Sequence, residues 1–345
     1  MKVLHLIDER WDSGLAQYAL QISELLIKAG HQVKLGALRG KKPEAMARAR
    51  GIPTVSIDSL FSFRRAVRAE EWDVINAHTG RTHTWALLLA RRRTPVVRTR
   101  GDARPVRANA VSNFIYKKTA AVIAASRHIA GYYEEDLNLP EKKIHVVYPS
   151  VEPDAVVSAS PPNRVGILGR LDPVKGHAIF LEAVADVIKE FPQTKFVIAG
   201  KEANIRYDLL KNQIREMGIG DAVSYVGFQP SAQEFMRGCA VGVIASIGSE
   251  EISRACLEWM AVGRPVVGTL VGCLPEMIEP NENGFLVPPG DGLAMGDALL
   301  KLLRDPARAA TWGKNGHGLV QSKFGPKIFL EKTLAVYESV ANRAH

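Results

Sequence analysis

RVGILGRLDPVKGHAIFLEAVADVIKEFPQTKFVIAG, residues 164–200, is the stretch that decides the fold. It opens with a short apolar run, RVGILGRL (164–171), and passes through a charged turn. Helical spacing follows over 176–190, and a second apolar run, KFVIAG (195–200), closes it. Strand, helix, strand is the repeat unit of a parallel sheet covered on both faces. The alternation continues downstream through VSYVG (223–227), VGVIAS (241–246), GRPVVGT (263–269) and GFLVP (284–288), ending in helical stretches over 291–304, 306–322 and 326–343. Upstream it runs from KVLHLI (2–7) and HQVKLGAL (31–38) through TVSI (54–57), DVINAH (73–78), PVVRTR (95–100), AAVIAAS (120–126) and KIHVVYPS (143–150). Between the two series lies EPDAVVSASPPN (152–163), whose Pro, Ser and Ala read as an interdomain linker. The expected architecture is α/β: two doubly wound Rossmann-like domains, 1–155 and 156–325, facing across a cleft. A C-terminal helix over 326–345 is expected to pack back on the first domain. Ligands of such sheets sit beyond the carboxyl ends of the strands, so the crevice is the expected active site.

The composition fits this architecture. With 345 residues, 46% hydrophobic and 23% charged, collagen, coiled-coil and disordered classes are excluded. No run of about 18 apolar residues suits a membrane-spanning helix. The opening MKVLHLIDERW meets charge too soon for a secretory signal. Cys239, Cys256 and Cys273 form no CxxC pair and read as buried, reduced thiols of a cytoplasmic protein. The net charge of +9 is one-sided: residues 1–160 carry 25 Lys/Arg against 16 Asp/Glu, and residues 161–345 carry 20 against 20. Its clusters are Arg64, Arg65 and Arg68; Arg91, Arg92 and Arg93; and Arg98, Arg100, Arg104 and Arg107. Such a field attracts an anionic glycan or an acidic membrane surface. Nucleic acid is disfavoured, because no aromatic-interleaved basic strand or recognised module accompanies the charge.

Three segments are candidates for chemistry. DERWDSGLAQYA (8–19) joins the first strand to the first helix, and Gly14 there allows close backbone approach beside a helix N-terminus. The spacing lacks GxGxxG, which disfavours a nicotinamide or flavin cofactor. In GRLDPVKG (169–176), Arg170 and Lys175 suit the two phosphates of a nucleoside diphosphate. In GSEEISRACLEWMAVGRPVVGTLVGCLPEMI (248–278), Glu250 and Glu258 within one helix would be displaced by about 12 Å along its axis and about 80° around it. That is no glycosidase pair, which needs about 5–9 Å. Glu250 is therefore expected in the loop before the helix and Glu258 on it, the latter among apolar neighbours with hydroxyl or amide donors.

These motifs resemble the retaining glycosyltransferases of GT-B fold, family four, which includes bacterial lipopolysaccharide and surface-polysaccharide transferases. The family's E-x7-E element appears as EEISRACLE (250–258), followed by EWMAVGRPVV, VGCLPEMI and NGFLVPPGD, with GRLDPVKG upstream. VIAASRHIAGYYEEDLNLPEKKIHVVYPSVEP (122–153) is similar to the segment entering the family's linker. The resemblance implies that Arg170 and Lys175 bind the donor diphosphate and that Glu258 accepts from the ribose hydroxyls. It gives Glu250 the donor sugar and the placement of the anomeric carbon. It sets backbone amides around Gly272, Cys273 and Leu274 against sugar or phosphate, and Gly14 beneath the diphosphate.

Two features depart from the family's pattern. Ile252 and Ser253 stand where Phe-Gly is usual, and Arg100, in VVRTRGDARPVR, stands where a T-x-H histidine is usual. Arg100 can hydrogen-bond a sugar hydroxyl or acceptor phosphate but cannot accept a proton. His78 and His83 in NAHTGRTHTW are further polar candidates, His78 together with Arg104 and Arg107 on the acceptor side. No D-x-D metal clamp occurs, so no metal or cofactor is expected beyond a UDP- or GDP-sugar substrate, and cations and helix ends would carry the leaving group. The acceptor would be an anionic glycan or glycolipid, met at the inner face of the cytoplasmic membrane. A nucleotide-sugar epimerase or hydrolase of the same fold, or an inactive glycan-binding relative, are the alternative readings.

Overall fold

The computed structural model describes residues 1–102, 106, 108–159, 163–248 and 250–342. The chain divides into two compact units, one of Met1–Pro149 with Pro326–His345, the other of Ser150–Gly325. In the first unit, β1 (Lys2–Leu6), β2 (Gln32–Ala37), β3 (Thr54–Ser56), β4 (Val74–Ala77), β5 (Val96–Arg100), β6 (Ala121–Ala124) and β7 (Ile144–Val146) form one parallel sheet, in the order β3-β2-β1-β4-β5-β6-β7. In the second, β8 (Arg164–Leu168), β9 (Lys195–Ala199), β10 (Val223–Tyr225), β11 (Val241–Ile244), β12 (Val266–Thr269) and β13 (Gly284–Val287) form another, in the order β10-β9-β8-β11-β12-β13. Each sheet reverses its strand order once, between β1 and β4 and between β8 and β11. Those switch points are where a doubly wound sheet opens a crevice.

Central strands read as unbroken apolar runs because helices cover both faces. VINA of β4, VGVI of β11 and VVGT of β12 are buried at every position. β5, VVRTR, is buried throughout as well, Arg98 and Arg100 included. That corrects the sequence reading, which put both arginines in an outward, anion-attracting field. Arg98 instead donates from Nη1 to the carbonyls of Ala77 at 3.2 Å and Thr99 at 2.7 Å, so its contacts are backbone oxygens rather than a partner anion, while its buried Nε has no hydrogen-bond partner among the described residues.

The supposed linker is also fastened. The Val151 amide donates to Phe324 O at 3.2 Å, Asp154 takes a two-pronged ion pair from Arg237 at 2.6 and 2.7 Å, and fully buried Arg264 donates to Ser158 O at 3.0 Å. Its described part up to Ala159 thus belongs to the second unit, and the division falls at 149/150 rather than 155. The helix Pro326–Ala341 lies on the first unit, with Phe329 edge-on to Tyr18 at 4.7 Å and the Tyr337 hydroxyl accepting from Asn76 at 2.5 Å.

Trp259 sets the rotation of the helix Arg254–Ala261. Its indole is fully buried over β8 and β11, where a Cβ on Gly166 would come within 2.8 Å of it and one on Gly242 within 2.3 Å. Two strand glycines therefore make the slot for one large ring, and the neighbouring Glu258 is turned toward the half-buried rim.

Candidate active site

The loops after β8 and β11 meet at the second unit's switch point. Asp172 caps the short turn Pro173–Lys175, accepting from the Val174 amide at 3.1 Å, and also takes Arg170 Nε at 3.0 Å and Asn204 Nδ2 at 2.8 Å. Burial pushes its carboxyl pKa up, but these donors together outweigh burial and hold it below the usual carboxylate range. Val174 O accepts the Ile247 amide at 2.9 Å, tying the two loops directly. Gly176, at φ +67°, starts the helix His177–Glu190, and a Cβ there would sit 1.8 Å from Ala245 O. No other residue fits that conformation and that approach together.

Glu250 lies in the loop after β11, as expected, and Glu258 on the following helix. Glu250 is only 4% exposed. Its Oε1 accepts from Lys175 Nζ and from Ser246 Oγ, both at 2.5 Å, and among the described residues Oε2 has no hydrogen-bond partner. The Ser246 carbonyl in turn accepts from Thr269 Oγ1 at 2.6 Å, so β12 braces the loop. Lys175 is therefore the counter-ion of Glu250, where the sequence reading had it as a diphosphate clamp alone. Arg170 keeps 56% of its side chain exposed and is the freer cation.

Gly272 stands at φ +56°, and a Cβ there would lie 2.4 Å from Glu250 O. Glu250 O also accepts the Cys273 amide at 2.8 Å, while the Leu274 amide donates to Val271 O at 3.1 Å. This corrects the role expected for the amides around Gly272, Cys273 and Leu274: those of Cys273 and Leu274 are spent inside the loop, one of them positioning Glu250. Glu258 differs from expectation too. Its partner is Arg254 one turn earlier, at 2.9 Å, rather than a hydroxyl or amide donor. One residue escaped the sequence reading: His177 is buried beneath the loop, with neither ring nitrogen hydrogen-bonded among the described residues. Burial lowers its pKa to about 4, so the ring is neutral. No motif around His177 marked it, since its environment is made by the fold.

In the first unit, Asp8 follows β1 and takes hydrogen bonds from Thr79 Oγ1 and, at 2.5 Å, from Arg81 Nε. Gly14 is the first residue of the helix Gly14–Lys28, capped by Ser13 accepting from Ala16 N at 3.1 Å. Arg100 is held by Asp102 at 3.0 Å and lies over the Tyr133 ring at 5.5 Å. Burial alone would lower its pKa, but Tyr133 and Asp102 more than offset that and raise it, so it is a permanent cation. His78 is completely buried against His5, with ring nitrogens 2.9 Å apart, and burial lowers its pKa, with His5 and Arg98 adding to it. That corrects its candidacy as an acceptor contact. His83 is likewise buried, with Nε2 2.9 Å from the Thr119 hydroxyl. Arg104 and Arg107 lie outside the described residues. Among the described residues no group of His, Cys, Asp and Glu side chains is arranged to hold a metal, and no helix is long and apolar enough to cross a membrane.

The chain matches two family profiles, "Glycosyltransferase Family 4" over residues 13–155 and "Glycosyl transferases group 1" over 162–305. It is 26% identical over 242 residues to the lipopolysaccharide core biosynthesis mannosyltransferase LpcC of Rhizobium leguminosarum bv. viciae, covering 68% of each chain. It is 31% identical over 179 residues to the phosphatidyl-myo-inositol mannosyltransferase of Mycobacterium leprae, covering 50% of this chain and 46% of that one. Among solved structures, Anabaena HepE in complex with UDP superposes with a TM-score of 0.86 at 21% identity, covering 98% of this chain and 100% of the other. A glycosyltransferase from Rickettsia africae superposes with a TM-score of 0.87 at 16% identity, with 98% of each chain covered. Two doubly wound sheets, the Glu250 and Glu258 element and profiles spanning both units agree: the chain belongs to the family-four, group 1 glycosyltransferases and has the GT-B fold.

Proposed function

We propose that this glycosyltransferase moves a sugar from a nucleoside-diphosphate sugar to an anionic glycan or lipid-linked acceptor, with retention of anomeric configuration and without a metal ion. The setting would be lipopolysaccharide or surface-polysaccharide synthesis on the cytoplasmic side of a membrane, through a peripheral contact. The observation that carries it is the buried Glu250 carboxylate, with Oε1 paired to Lys175 and Oε2 without a partner among the described residues, beside the half-exposed Arg170. A carboxylate held this rigidly accepts hydroxyl donors from a sugar without reorganising, and adjacent cations stabilise charge growing on a departing diphosphate. In this reading Arg170 and Lys175 meet the diphosphate. Oε2 of Glu250 takes a sugar hydroxyl, and Glu258 exchanges Arg254 for the ribose. The acceptor oxygen forms its bond to the anomeric carbon as the carbon–phosphate-oxygen bond breaks, on the same face. The leaving diphosphate takes the acceptor's proton, since Arg100 cannot.

The donor is proposed to be a UDP-sugar, supported by HepE, which was solved with UDP and with UDP-glucose. A GDP-sugar is the other arm of the test, and mannose is a candidate sugar because the named relatives are mannosyltransferases. Calorimetric titration with UDP and GDP, first with chelator and then with magnesium, is expected to give metal-independent binding of one nucleotide, weakened in Arg170→Ala. Binding that requires magnesium overturns the metal-free reading. Release of free sugar or an epimer from donor alone would assign a hydrolase or epimerase instead.

A further inference from the structure

The amino-terminal ends of β5 and β6 carry a feature that the transfer chemistry does not use. A groove of about 850 Å³ opens there, floored by Leu87, Pro95 and Val96 and rimmed by Arg91, Arg92, Arg93 and Lys118. It lies at the opposite end of the strands from Asp8, Thr79 and Arg100. Only Arg91 has an acidic partner, the exposed Glu71 at 2.8 Å; among the described residues Arg92, Arg93 and Lys118 have none. Like charges gathered without counter-ions repel one another, and arginine forks match phosphate oxygens in pairs.

The surroundings are apolar as well as basic. Lys118 Nζ rests 4.4 Å from the centre of the Phe114 ring, and Phe114 is 58% exposed. Leu88, at the end of the helix Gly80–Leu89, is 72% exposed, and Val111 is also open to solvent. Phe114 and Val111 lie on Ala110–Lys118, which among the described residues is the one α-helix of the first unit with no buried side chain. A helix short of buried contacts gains little from its own unit. A free polyanion would need the cations and leave the apolar side chains in water. A bilayer bearing anionic phospholipid offers headgroup phosphate to the first and the acyl boundary to the second.

We propose that this groove docks the first unit on an anionic bilayer, a lipid phosphate sitting among Arg91–Arg93 and Lys118 while Leu88 and Phe114 enter the interface. The inference rests on the peripheral contact proposed above and gives it a location at the amino-terminal ends of β5 and β6.

Co-sedimentation with phosphatidylcholine vesicles, with and without phosphatidylglycerol, tests it. The intact chain is expected to bind only the anionic vesicles. R91Q/R92Q/R93Q should weaken partitioning by about 100-fold, each basic residue near such a surface being worth roughly fivefold. L88S/F114S should weaken it while leaving the salt dependence intact, and both variants should keep the parent's circular dichroism and melting temperature. Should the triple variant fail to fold, K118Q together with L88S/F114S carries the test from exposed positions. If the intact chain binds neither vesicle, the peripheral contact itself fails. If it binds and both variants bind equally well, the contact stands and this location is wrong. If free inorganic phosphate competes and L88S/F114S loses nothing, the groove is a soluble-anion site and the bilayer assignment falls.

Discussion

The switch point of the second unit and the interior of the first hold their charged and titratable groups differently. In the second, ionised groups at the carboxyl ends of β8 and β11 are paired: Lys175 with Glu250, Arg170 with Asp172, and Arg254 with Glu258 on the adjoining helix. In the first, the interior holds His5, His78 and His83, all pushed toward neutrality by burial, and Arg98, whose Nη1 donates to two carbonyl oxygens while its Nε has no hydrogen-bond partner among the described residues. A buried charge survives by pairing or by hydrogen-bonding, and a group that can shed its proton sheds it. The second unit thus keeps paired charge at its switch point, where the proposed donor diphosphate would bind. The first buries its histidines in neutral form together with Arg98 and Arg100, and carries Arg91, Arg92 and Arg93 at its surface.

The largest expected effect breaks the second unit's pairing. Glu250→Ala should cost about 10³-fold in kcat if its carboxylate serves the transition state. Lys175→Ala leaves a buried carboxylate without its counter-ion and should lower unfolding free energy by about 3–5 kcal/mol. Denaturant unfolding and steady-state kinetics on both single variants and the Lys175→Met, Glu250→Met double variant separate the two roles. Stability recovered in the double variant with activity still absent means the pair exists for chemistry. Full activity in Glu250→Ala would remove Glu250 from the site.

A middle-sized effect sharpens the contrast through pH. The folded pKa falls to about 3 for His5 and His83 and to about 4 for His177, against an unfolded value near 6.5. Between those limits the unfolded chain binds more protons. Stability is therefore complete above about pH 6.5 and is lost progressively as pH falls toward 3, at up to about 1.4 kcal/mol per pH unit for each histidine. His5, His78 and His83 all sit in the first unit, so hydrogen exchange at pH 5 should open its β1 and β4 amides before those of β8 and β11. The reverse order would contradict the comparison.

The smallest effect concerns Glu258, with 16% of its side chain exposed and joined to Arg254 of its own helix. Glu258→Gln should raise the donor KM by about tenfold with kcat little changed, as expected for one lost hydrogen bond to a bound hydroxyl. An unchanged KM would make it a helix-stabilising partner of Arg254 and nothing more.

The alternation of strands and helices was legible because a period of two or 3.6 is written into neighbouring residues. So was the loop position of Glu250, from its distance to Glu258. Three readings failed for one reason. Arg98, Arg100 and His78 read as outward polar groups because charge and polarity are local properties of a residue, whereas burial belongs to the strand's place in the sheet. β5 lies between β4 and β6, so both its faces are covered whatever it carries. The linker segment misled similarly: Pro, Ser and Ala mark the absence of periodic structure, and say nothing of the Arg237 and Arg264 side chains that fasten it.

What the sequence determined by itself is the set of elements, their parallel winding and the family motif, all carried by patterns within about forty residues of chain. The tertiary structure alone decided which charges are spent. Lys175 and Glu250 are 75 residues apart and meet because Gly176 allows the loop after β8 to close on Ala245. A Coulombic partner is chosen by distance through space, and distance along the chain does not encode it.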